Sequence, residues 1–244
     1  MPIGIALIEP KHSINVGYVA RIMKNFGFSK LFTVDPSYDM VEAKKYAMHG
    51  YDLLEASTAT SLRELRRNSR ILVGTTAMKS SSRLNFMRHS ISPAQLADII
   101  YENPLEGNIH IVLGREASGL RNSELQMCDL VLTIETGTEY TTMNISHALA
   151  IILYEITKRN LQKSGSRTGT KNQVVACRSE TDMLIAYSSK TAELAGYNMH
   201  KRPLLDSALR RLLGKSNPSS KEVMLMVSLF RKAIQKMECK RNFC

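Results

Sequence analysis

The chain contains 244 residues, of which 43% are hydrophobic, which is enough for one large globular domain and a second small one. Its formal net charge is +11, with 33 Lys and Arg against 22 Asp and Glu. The sequence has no apolar run of about 18 residues, and it does not begin with a basic leader followed by a short apolar segment. We therefore expect a soluble cytoplasmic protein without a membrane span.

The positive charge is unevenly distributed along the chain. Residues 1–157 carry 15 basic and 16 acidic side chains, whereas residues 158–244 carry 18 basic and 6 acidic ones. A solvated Lys/Arg surface would be the simplest explanation. The interpretation we favour is a neutral catalytic or ligand-binding body followed by a basic appendage that binds a polyanion.

The four cysteines show no spacing typical of a metal site or a disulfide framework. They are Cys128, Cys177, Cys239 and Cys244, and no two of them form a CxxC pair. We expect no structural metal, and free thiols suit a reducing cytoplasm.

Apolar runs alternate with amphipathic segments through the first 160 residues. Strands are predicted in the segments IGIALIEP, KLFTVDP, ILVGTTA, HIVLG and LVLTIE. Helices are predicted at residues 15–26, 39–48, 60–67, 93–101, 121–126 and 144–160. Thr60 is expected to open the third of these helices, and Ser92 is expected to cap the fourth, with Pro93 at its first position. This alternation indicates an α/β domain with a parallel, doubly wound sheet.

The last third of the chain has a different organisation. A Gly/Ser/Lys-rich stretch predicts a linker, and three amphipathic helices follow at residues 179–197, 201–214 and 220–238. Ser219 and Glu222 form a capping box for the last helix, and the last two helices carry basic faces. The predicted organisation is an α/β domain at 1–160, a linker at 161–175 and a small, basic, all-helical domain at 176–244.

The segment from Ile109 to Glu155 is the most informative about function. It contains two apolar runs, each followed by a polar turn, and the second run leads through small polar residues into a helix that begins near Asn144. In an open α/β sheet such residues meet at the carboxyl ends of the strands, where ligands bind. The motifs GxGxxG and GxxxxGK[ST] are both absent, so neither a dinucleotide nor a P-loop phosphate is predicted.

Three blocks of sequence carry a resemblance to a known family. They are NVGYVAR at 15–21, IVLGREASGL at 111–120 and EYTTMNISHALAIILYE at 139–155. Together they resemble the SPOUT class of S-adenosylmethionine-dependent RNA methyltransferases, in the SpoU branch that methylates the ribose 2′-hydroxyl. The VGTTA ending of the third strand and the separate basic helices resemble the TrmJ family, which acts at position 32 in the anticodon loop of tRNA.

This resemblance implies several properties of the protein. The α/β domain would end in a trefoil knot, S-adenosylmethionine would be the cofactor, and tRNA would be the substrate. Family members are homodimers whose active sites lie at or near the subunit interface. No metal and no membrane are expected to take part.

The resemblance also assigns roles to individual residues. The expected cofactor-binding positions are Thr75, Thr76, Ala77, Leu113, Gly114, Gly119, Ile134, Thr141, Thr142 and Met143. The expected catalytic positions are Asn15, Arg21, Glu116, Thr142 and Asn144. Relatives usually carry Ser at positions 141 and 142, and Thr keeps the hydroxyl while adding a methyl group. Gly114 and Gly119 are expected to allow a close backbone approach and a tight turn.

Arg21 matches an arginine that is considered essential in the family. A guanidinium stays protonated at neutral pH and is a poor proton acceptor. We therefore expect Arg21 to clamp a phosphate and stabilise a developing alkoxide, with the proton passing to phosphate or water. Glu116 is a candidate acceptor for a hydrogen bond from Arg21 or Asn144. The simpler alternatives are a solvated helix charge for Arg21, a surface acid for Glu116 and ordinary N-caps for Asn15 and Asn144.

Two other functions remain open from the sequence. The same chemistry could act on ribosomal RNA, or the chain could be an RNA-binding or assembly module that kept the fold without catalysis. The complete set of Asn15, Arg21, Glu116 and Asn144 argues against the second alternative. The target base, cytidine alone or also uridine, is left open. The scattered histidines are more typical of surface or core positions than of catalysts.

Overall fold

The computed structural model describes residues 3–77, 90–102, 107–164 and 175–241. Within these ranges the chain forms two compact units, one made of the described residues up to 164 and the other of residues 175–241. Most of the predicted linker, from residue 165 to 174, lies outside the described residues.

The first unit is built on a six-stranded sheet in which every neighbouring pair is parallel. The strands are β1 (Ile3–Ile8), β2 (Lys30–Val34), β3 (Thr58–Ala59), β4 (Ile71–Thr75), β5 (Ile109–Leu113) and β6 (Leu130–Leu132). Their spatial order is β3-β2-β1-β5-β4-β6. The connections that leave β1 and β5 therefore run to opposite sides of the sheet, and a crevice at the carboxyl ends of these two strands is the expected place for a ligand. The predicted parallel α/β sheet is confirmed.

Seven helices are described in this unit. They are α1 (Ser13–Asn25), α2 (Met40–Ala47), α3 (Tyr51–Glu55), α4 (Leu62–Asn68), α5 (Pro93–Glu102), α6 (Asn122–Met127) and α7 (Ile145–Ser164). The sequence did not predict β3, α3 or the single 3₁₀ turn that precedes α3, because each of these elements is too short to show a period.

Several predicted boundaries differ from the structure. Ser61, not Thr60, caps α4, since its hydroxyl accepts a hydrogen bond from the Glu64 backbone N–H at 3.2 Å. Strand β6 ends at Leu132, three residues earlier than predicted, and β4 ends at Thr75. The last helix of the unit continues to Ser164, so the predicted linker start at residue 161 is wrong. The predicted cap of α5 is confirmed by a 3.2 Å bond from Gln95 N to Ser92 Oγ.

Helices cover both faces of the sheet, and the side chains of β1 show why. Ile5 and Leu7 are buried in a large cluster with residues of α1, α2, α3, α5 and α7. Ala6 and Ile8 point to the opposite face, into a smaller cluster with residues from α4 and the α6 region. Alternate residues of a strand face opposite sides of a sheet, so a continuously apolar strand such as β1 is buried on both faces. The doubly wound arrangement is confirmed.

His110 belongs to the core on the side of the smaller cluster. Its ring meets the Phe32 ring edge-on, with 5.0 Å between the centroids, and its Nδ1 lies 2.6 Å from Ser69 Oγ. Burial lowers the pKa of His110 to about 4, with a smaller contribution from the charge of Lys30. The imidazole is therefore neutral at pH 7, which agrees with the structural role predicted for this residue.

The second unit contains three long helices and a small core of its own. The helices are α8 (Arg178–Leu194), α9 (Arg202–Ser216) and α10 (Ser220–Arg241). Ala176, Leu184, Val223 and Val227 are buried between them. The capping box at the start of α10 is confirmed, since Ser219 N donates to Glu222 Oε2 at 2.7 Å and Glu222 N donates to Ser219 Oγ at 3.3 Å.

Membrane-spanning helices and metal-binding clusters are both absent from the described residues. No helix in these ranges is long and apolar enough to cross a membrane. No group of three or more His, Cys, Asp or Glu side chains in the same ranges is arranged to hold a metal ion.

Gly17 allows α1 and α2 to pack closely, and its substitution is a test of that packing. A Cβ at position 17 would lie 2.4 Å from the Ala43 carbonyl oxygen and 2.6 Å from Tyr46 Cβ. Ala favours a helix over Gly by about 1 kcal/mol, but overpacking of this kind costs about 1–3 kcal/mol. We expect Gly17→Ala to lower the free energy of unfolding measured by urea denaturation. Asn25→Ala, at the exposed end of α1, is the control and should change it by less than about 0.5 kcal/mol.

Candidate functional site

A cavity of about 300 Å³ opens at the carboxyl edge of the sheet. Its walls come from the ends of β4, β5 and β6, from the turn that follows β5, and from the chain between β6 and α7. The sequence-predicted positions that line it are Thr75, Thr76, Ala77, Leu113, Gly114, Glu116, Gly119, Ile134, Thr141, Thr142 and Met143. The fold thus brings every predicted cofactor position to one cavity, although they come from four separate stretches of the sequence.

The floor of this cavity depends on two glycines in the turn after β5. A Cβ on Gly114 would lie 2.2 Å from the Gly119 carbonyl carbon and 2.3 Å from the Leu120 nitrogen, so only glycine fits there. Gly119 has a φ of 65°, in the left-handed region that glycine adopts without strain. Arg115 and Gly119 close the turn by exchanging two backbone hydrogen bonds, of 3.2 and 2.9 Å. The close approach and tight turn predicted for the two glycines are confirmed.

Arg115, which was not among the predicted site residues, holds this turn against the rest of the sheet edge. Its guanidinium makes two hydrogen bonds to the Glu124 carboxylate, at 2.7 and 3.0 Å, and a further short one to Glu9. The Arg115 side chain is only 10% exposed. Glu9 follows β1, Arg115 follows β5 and Glu124 lies in α6, so one cation joins three elements. The sequence does contain a signal for this ion pair: Glu9 directly follows the apolar run of one predicted strand, and Arg115 follows the apolar run of another by two residues.

The charges of this group alter the titration of its acids. The hydrogen bond from Arg115 lowers the pKa of Glu9 from 4.5 to about 2, and it also lowers the pKa of Glu124. Hydrogen bonds to the two carboxylates raise the pKa of Arg115 still further. All three groups are therefore charged at neutral pH.

Glu116 faces the other way, towards the start of α1. Its Oε1 accepts a hydrogen bond from the His12 backbone N–H at 3.2 Å and a weaker one from Asn15 Nδ2 at 3.5 Å. The hydrogen bonds predicted from Arg21 or Asn144 to Glu116 are not formed. Instead, Asn144 Nδ2 donates to Asn15 Oδ1 at 2.8 Å, so the order of contact is Asn144, Asn15, Glu116. The carboxylate therefore lies at the N-terminal end of α1.

Ser146, which the sequence places with Asn144 at the N-terminus of α7, completes the chain of hydrogen bonds. Its backbone N–H and its hydroxyl both donate to Asn144 Oδ1, at 2.9 and 2.8 Å. Asn144 is thus the N-cap of α7. Its side-chain oxygen accepts both bonds from Ser146, and its side-chain nitrogen donates to Asn15. Asn15 is not an N-cap, because it lies in the third position of α1, where it is 8% exposed.

Of the predicted catalytic residues, Glu116 and Thr142 line the cavity, Asn15 and Asn144 are hydrogen-bonded in series to Glu116, and Arg21 lies elsewhere on α1. It is exposed on α1 and is not part of the cavity lining. Ile14 and Tyr18 precede it by seven and three residues on the same helical face, and are 40% and 37% exposed. Thr142 is also outside the hydrogen-bonded series of Asn144, Asn15 and Glu116. It is exposed at the cavity wall.

The sequence and the fold match known proteins. Residues 2–154 match the SpoU rRNA Methylase family. The chain belongs to this family. The family predicted from the three sequence blocks is therefore confirmed.

Individual relatives match nearly the whole chain. The tRNA (cytidine-2′-O-)-methyltransferase TrmJ of Methanocaldococcus jannaschii is 35% identical over 235 residues, which cover 94% of this chain and 98% of the relative. The protein of the same name from Sulfolobus acidocaldarius is 27% identical, over 99% of this chain and 97% of the relative. The crystal structure of TrmJ from Z. mobilis superposes with a TM-score of 0.68 at 23% identity, covering 94% and 97%, and so shares the fold.

The ion pair of Glu9 predicts a specific response to acid. A carboxylate whose folded pKa lies below its unfolded value stabilises the fold above about pH 4.5, and this contribution disappears as the pH falls towards about 2. We expect Glu9→Gln to be less stable than the wild type at pH 7 and the difference to shrink between pH 4.5 and 2. Urea denaturation at a series of pH values measures this.

Glu55→Gln is the matched control for this experiment. It removes an ion pair to Lys44 at 2.7 Å in which the side chains of Lys44 and Glu55 are 38% and 54% exposed, and exposed pairs contribute little. A stability difference for Glu9→Gln that is independent of pH below 4.5 would contradict the role assigned to the ion pair with Arg115.

Proposed function

We propose that this protein is an S-adenosylmethionine-dependent methyltransferase that modifies the ribose 2′-hydroxyl of a nucleotide in tRNA. The observation that carries the proposal is the cavity at the sheet edge, with Glu116, Asn15 and Asn144 hydrogen-bonded in series beside it. Two relatives that match almost the full chain are named tRNA (cytidine-2′-O-)-methyltransferases. Cytidine is therefore the first candidate base. Position 32 of the anticodon loop is the candidate position that the family resemblance implies. A relative from Pseudomonas aeruginosa is named for cytidine, uridine and adenosine, so uridine is tested next.

The residues of the cavity fit S-adenosylmethionine. A volume of about 300 Å³ is at the lower end of the range of small-molecule sites. Leu132, Ile134 and Met143 offer apolar contacts for an adenine ring, and the close approach at Gly114 leaves the backbone accessible. The basic side chain in the lining is Arg115, which is engaged by two carboxylates. A nucleotide phosphate would lack a cation there, whereas a ligand without phosphate and with a positive sulfonium would not need one.

The residues beside the cavity have separate tasks in this proposal. When bound, S-adenosylmethionine supplies an electrophilic methyl group and a good leaving group. The protein must hold the ribose oxygen in line and help remove its proton. Asn144 and Asn15 form a hydrogen-bonded pair whose orientation is fixed by Ser146 at one end and Glu116 at the other. Thr142 adds a hydroxyl at the cavity wall.

Arg21 enters the proposal through a second copy of the chain. It lies on an exposed face of α1 together with Ile14 and Tyr18, and partly exposed apolar residues beside a cation are suited to an interface. We infer a homodimer in which this face of α1 is brought close to the partner's cavity. There Arg21 would clamp a phosphate of the RNA and stabilise the negative charge that develops on the ribose oxygen. The family resemblance also leads us to expect a trefoil knot at the end of the α/β domain.

The second unit is assigned to RNA binding. The match to the family ends at residue 154, whereas the two archaeal relatives named for tRNA match over nearly the whole chain, which includes the basic helices. Lys232 and Lys236 are exposed on one face of α10, four residues apart. Exposed lysines on a helix surface are suited to RNA phosphates. The cytoplasm, where tRNA is found, is the location that goes with this function.

Ribosomal RNA is the second candidate substrate, because the matched family is named for rRNA methylation. Primer-extension mapping of the methyl group in tRNA and rRNA from cells with and without the protein separates the two. A methyl group that depends on the protein and occurs only in rRNA would overturn the tRNA proposal.

Substitutions of Arg21 test the catalytic assignment. We expect Arg21→Ala to lower kcat for methyl transfer to tRNA by roughly 10²–10³-fold, the range typical when one group that stabilises transition-state charge is removed. Arg21→Lys should recover only part of this, since Lys cannot form a two-pronged contact with a phosphate. Incorporation of labelled methyl groups is the measurement, and titration calorimetry with S-adenosylmethionine shows whether the cavity is intact. Near-full activity of Arg21→Lys would contradict the clamp.

Lysine substitutions on α10 test the role of the second unit. The double variant Lys232→Ala, Lys236→Ala should bind tRNA more weakly, and the slope of log affinity against log salt should fall by about 0.7–0.9 for each phosphate that is no longer neutralised. The affinity for S-adenosylmethionine should not change. The control is Lys44→Ala, Lys45→Ala on α2, which removes the same charge from the first unit. An equal decrease of the slope in both double variants would place the RNA contacts on the first unit as well.

A further inference from the structure

Tyr140 lies in the loop between β6 and α7 and has no role in the site described so far. Its side chain is 79% exposed, more than any other large hydrophobic side chain in the described ranges. Single exposed apolar residues are common on protein surfaces. The position and the construction of this loop, however, separate Tyr140 from an ordinary surface residue.

Both ends of the loop form part of the cavity. Ile134 lines it on one side, and Thr141, Thr142 and Met143 line it on the other. Tyr140 is directly bonded to Thr141, and consecutive Cα atoms are about 3.8 Å apart. The phenol ring is therefore anchored at the rim of the cavity while it extends into solvent.

The backbone that carries the ring is held by the loop itself. The hydroxyls of Thr136 and Thr138 donate hydrogen bonds to the Tyr140 carbonyl oxygen, at 3.5 and 3.1 Å. Gly137, between them, has a φ of 72°, which lets the chain turn back on itself. These bonds hold the main chain at position 140 and leave most of the ring surface open to solvent.

The charges of the loop indicate which part of an RNA could meet this ring. Residues 133–144 include two acids, Glu135 and Glu139, and no Lys or Arg. Such a segment does not attract phosphates. An uncharged base, in contrast, stacks readily on an exposed aromatic side chain, and unpaired loop nucleotides are the ones whose bases are free to do so.

We propose that Tyr140 is the stacking platform for the base of the nucleotide whose ribose is methylated. This rests on the proposed function, and it adds the requirement that the target base be unstacked from its neighbours. Stacking on a ring accepts every base, so Tyr140 positions the nucleotide without choosing among cytidine, uridine and adenosine. Tyr140 is a substrate-positioning residue in this proposal.

Substitutions at position 140 separate stacking from a structural role of the loop. Tyr140→Ala should lower kcat/KM for tRNA by roughly 5- to 100-fold, the range typical for removal of one base–aromatic stack. Tyr140→Phe should keep most of the activity. The affinity for S-adenosylmethionine and the salt dependence of tRNA binding should stay unchanged, because the substitution removes neither a cofactor-binding group nor a phosphate-binding one. Tyr51→Ala, at a half-exposed tyrosine of α3, is the control.

A substrate that lacks only the target base identifies the stacking partner. With tRNA that is abasic at the methylated position, the wild type should show about the same decrease in kcat/KM as Tyr140→Ala shows on normal tRNA. The two effects should not add when they are combined, because each removes the same interaction. Fully additive effects would overturn the proposal.

Fluorescence gives a direct reading of the stacking, since the chain contains no tryptophan. Tyr140→Trp should be quenched when tRNA binds, and Tyr51→Trp should not. Binding of tRNA without quenching at position 140, or an equal decrease of S-adenosylmethionine affinity in Tyr140→Ala, would overturn the inference. A wild type that does not methylate tRNA would instead overturn the proposed function, so the two failures are distinguishable.

Discussion

The interaction between the Arg115 guanidinium and its two carboxylates is the one on which the candidate site depends. A cation that is only 10% exposed is stable in the fold only with well-placed anions, and Glu9 and Glu124 supply them from two different elements. Glu9 has a φ of 45°, which a residue with a side chain adopts only where its surroundings hold it. The turn after β5 is therefore tied to the end of β1 and to α6. Removal of either acid would deprive this largely buried guanidinium of a hydrogen-bond acceptor and release one of the two connections.

The same turn presents Glu116, the next residue, to the start of α1. Two consecutive side chains of opposite charge thus connect this turn to two helices: Arg115 bonds to α6, and Glu116 bonds to the start of α1. The amide chain from Asn144 through Asn15 then links the first turns of α7 and α1. Because these hydrogen bonds are already made, the two asparagines have defined orientations in the absence of RNA. A site that is organised before its substrate arrives requires less ordering of its groups during the reaction.

The candidate site combines rigid and exposed parts. The cavity wall at Gly114 and Gly119 is closed by a backbone approach too tight for a side chain at position 114. Arg21 and Tyr140, by contrast, extend into solvent, one from a helix and the other from a loop. The proposed cofactor positions Gly114 and Gly119 thus lie on the closed part of the wall, and the groups proposed to contact RNA extend away from it. This division suits an enzyme whose small ligand must fit closely and whose large ligand arrives from outside.

The sequence by itself determined the alternation of strands and helices, the parallel sheet, the charge asymmetry and the three blocks that mark the family. These are local or compositional properties: continuously apolar strands such as β1, helical spacing in α1, and glycines at positions 114 and 119 are visible without coordinates. Short elements such as β3 were not predicted, since two residues show no period.

Only the tertiary structure decided which polar groups meet. Glu9 and Arg115 are 106 residues apart, and Asn15 and Asn144 are 129 apart. Such pairs form only when the strand order brings the loops to one edge of the sheet. The same reason explains why Glu116 was predicted to contact Arg21 or Asn144 and is bonded to Asn15 and the His12 backbone instead.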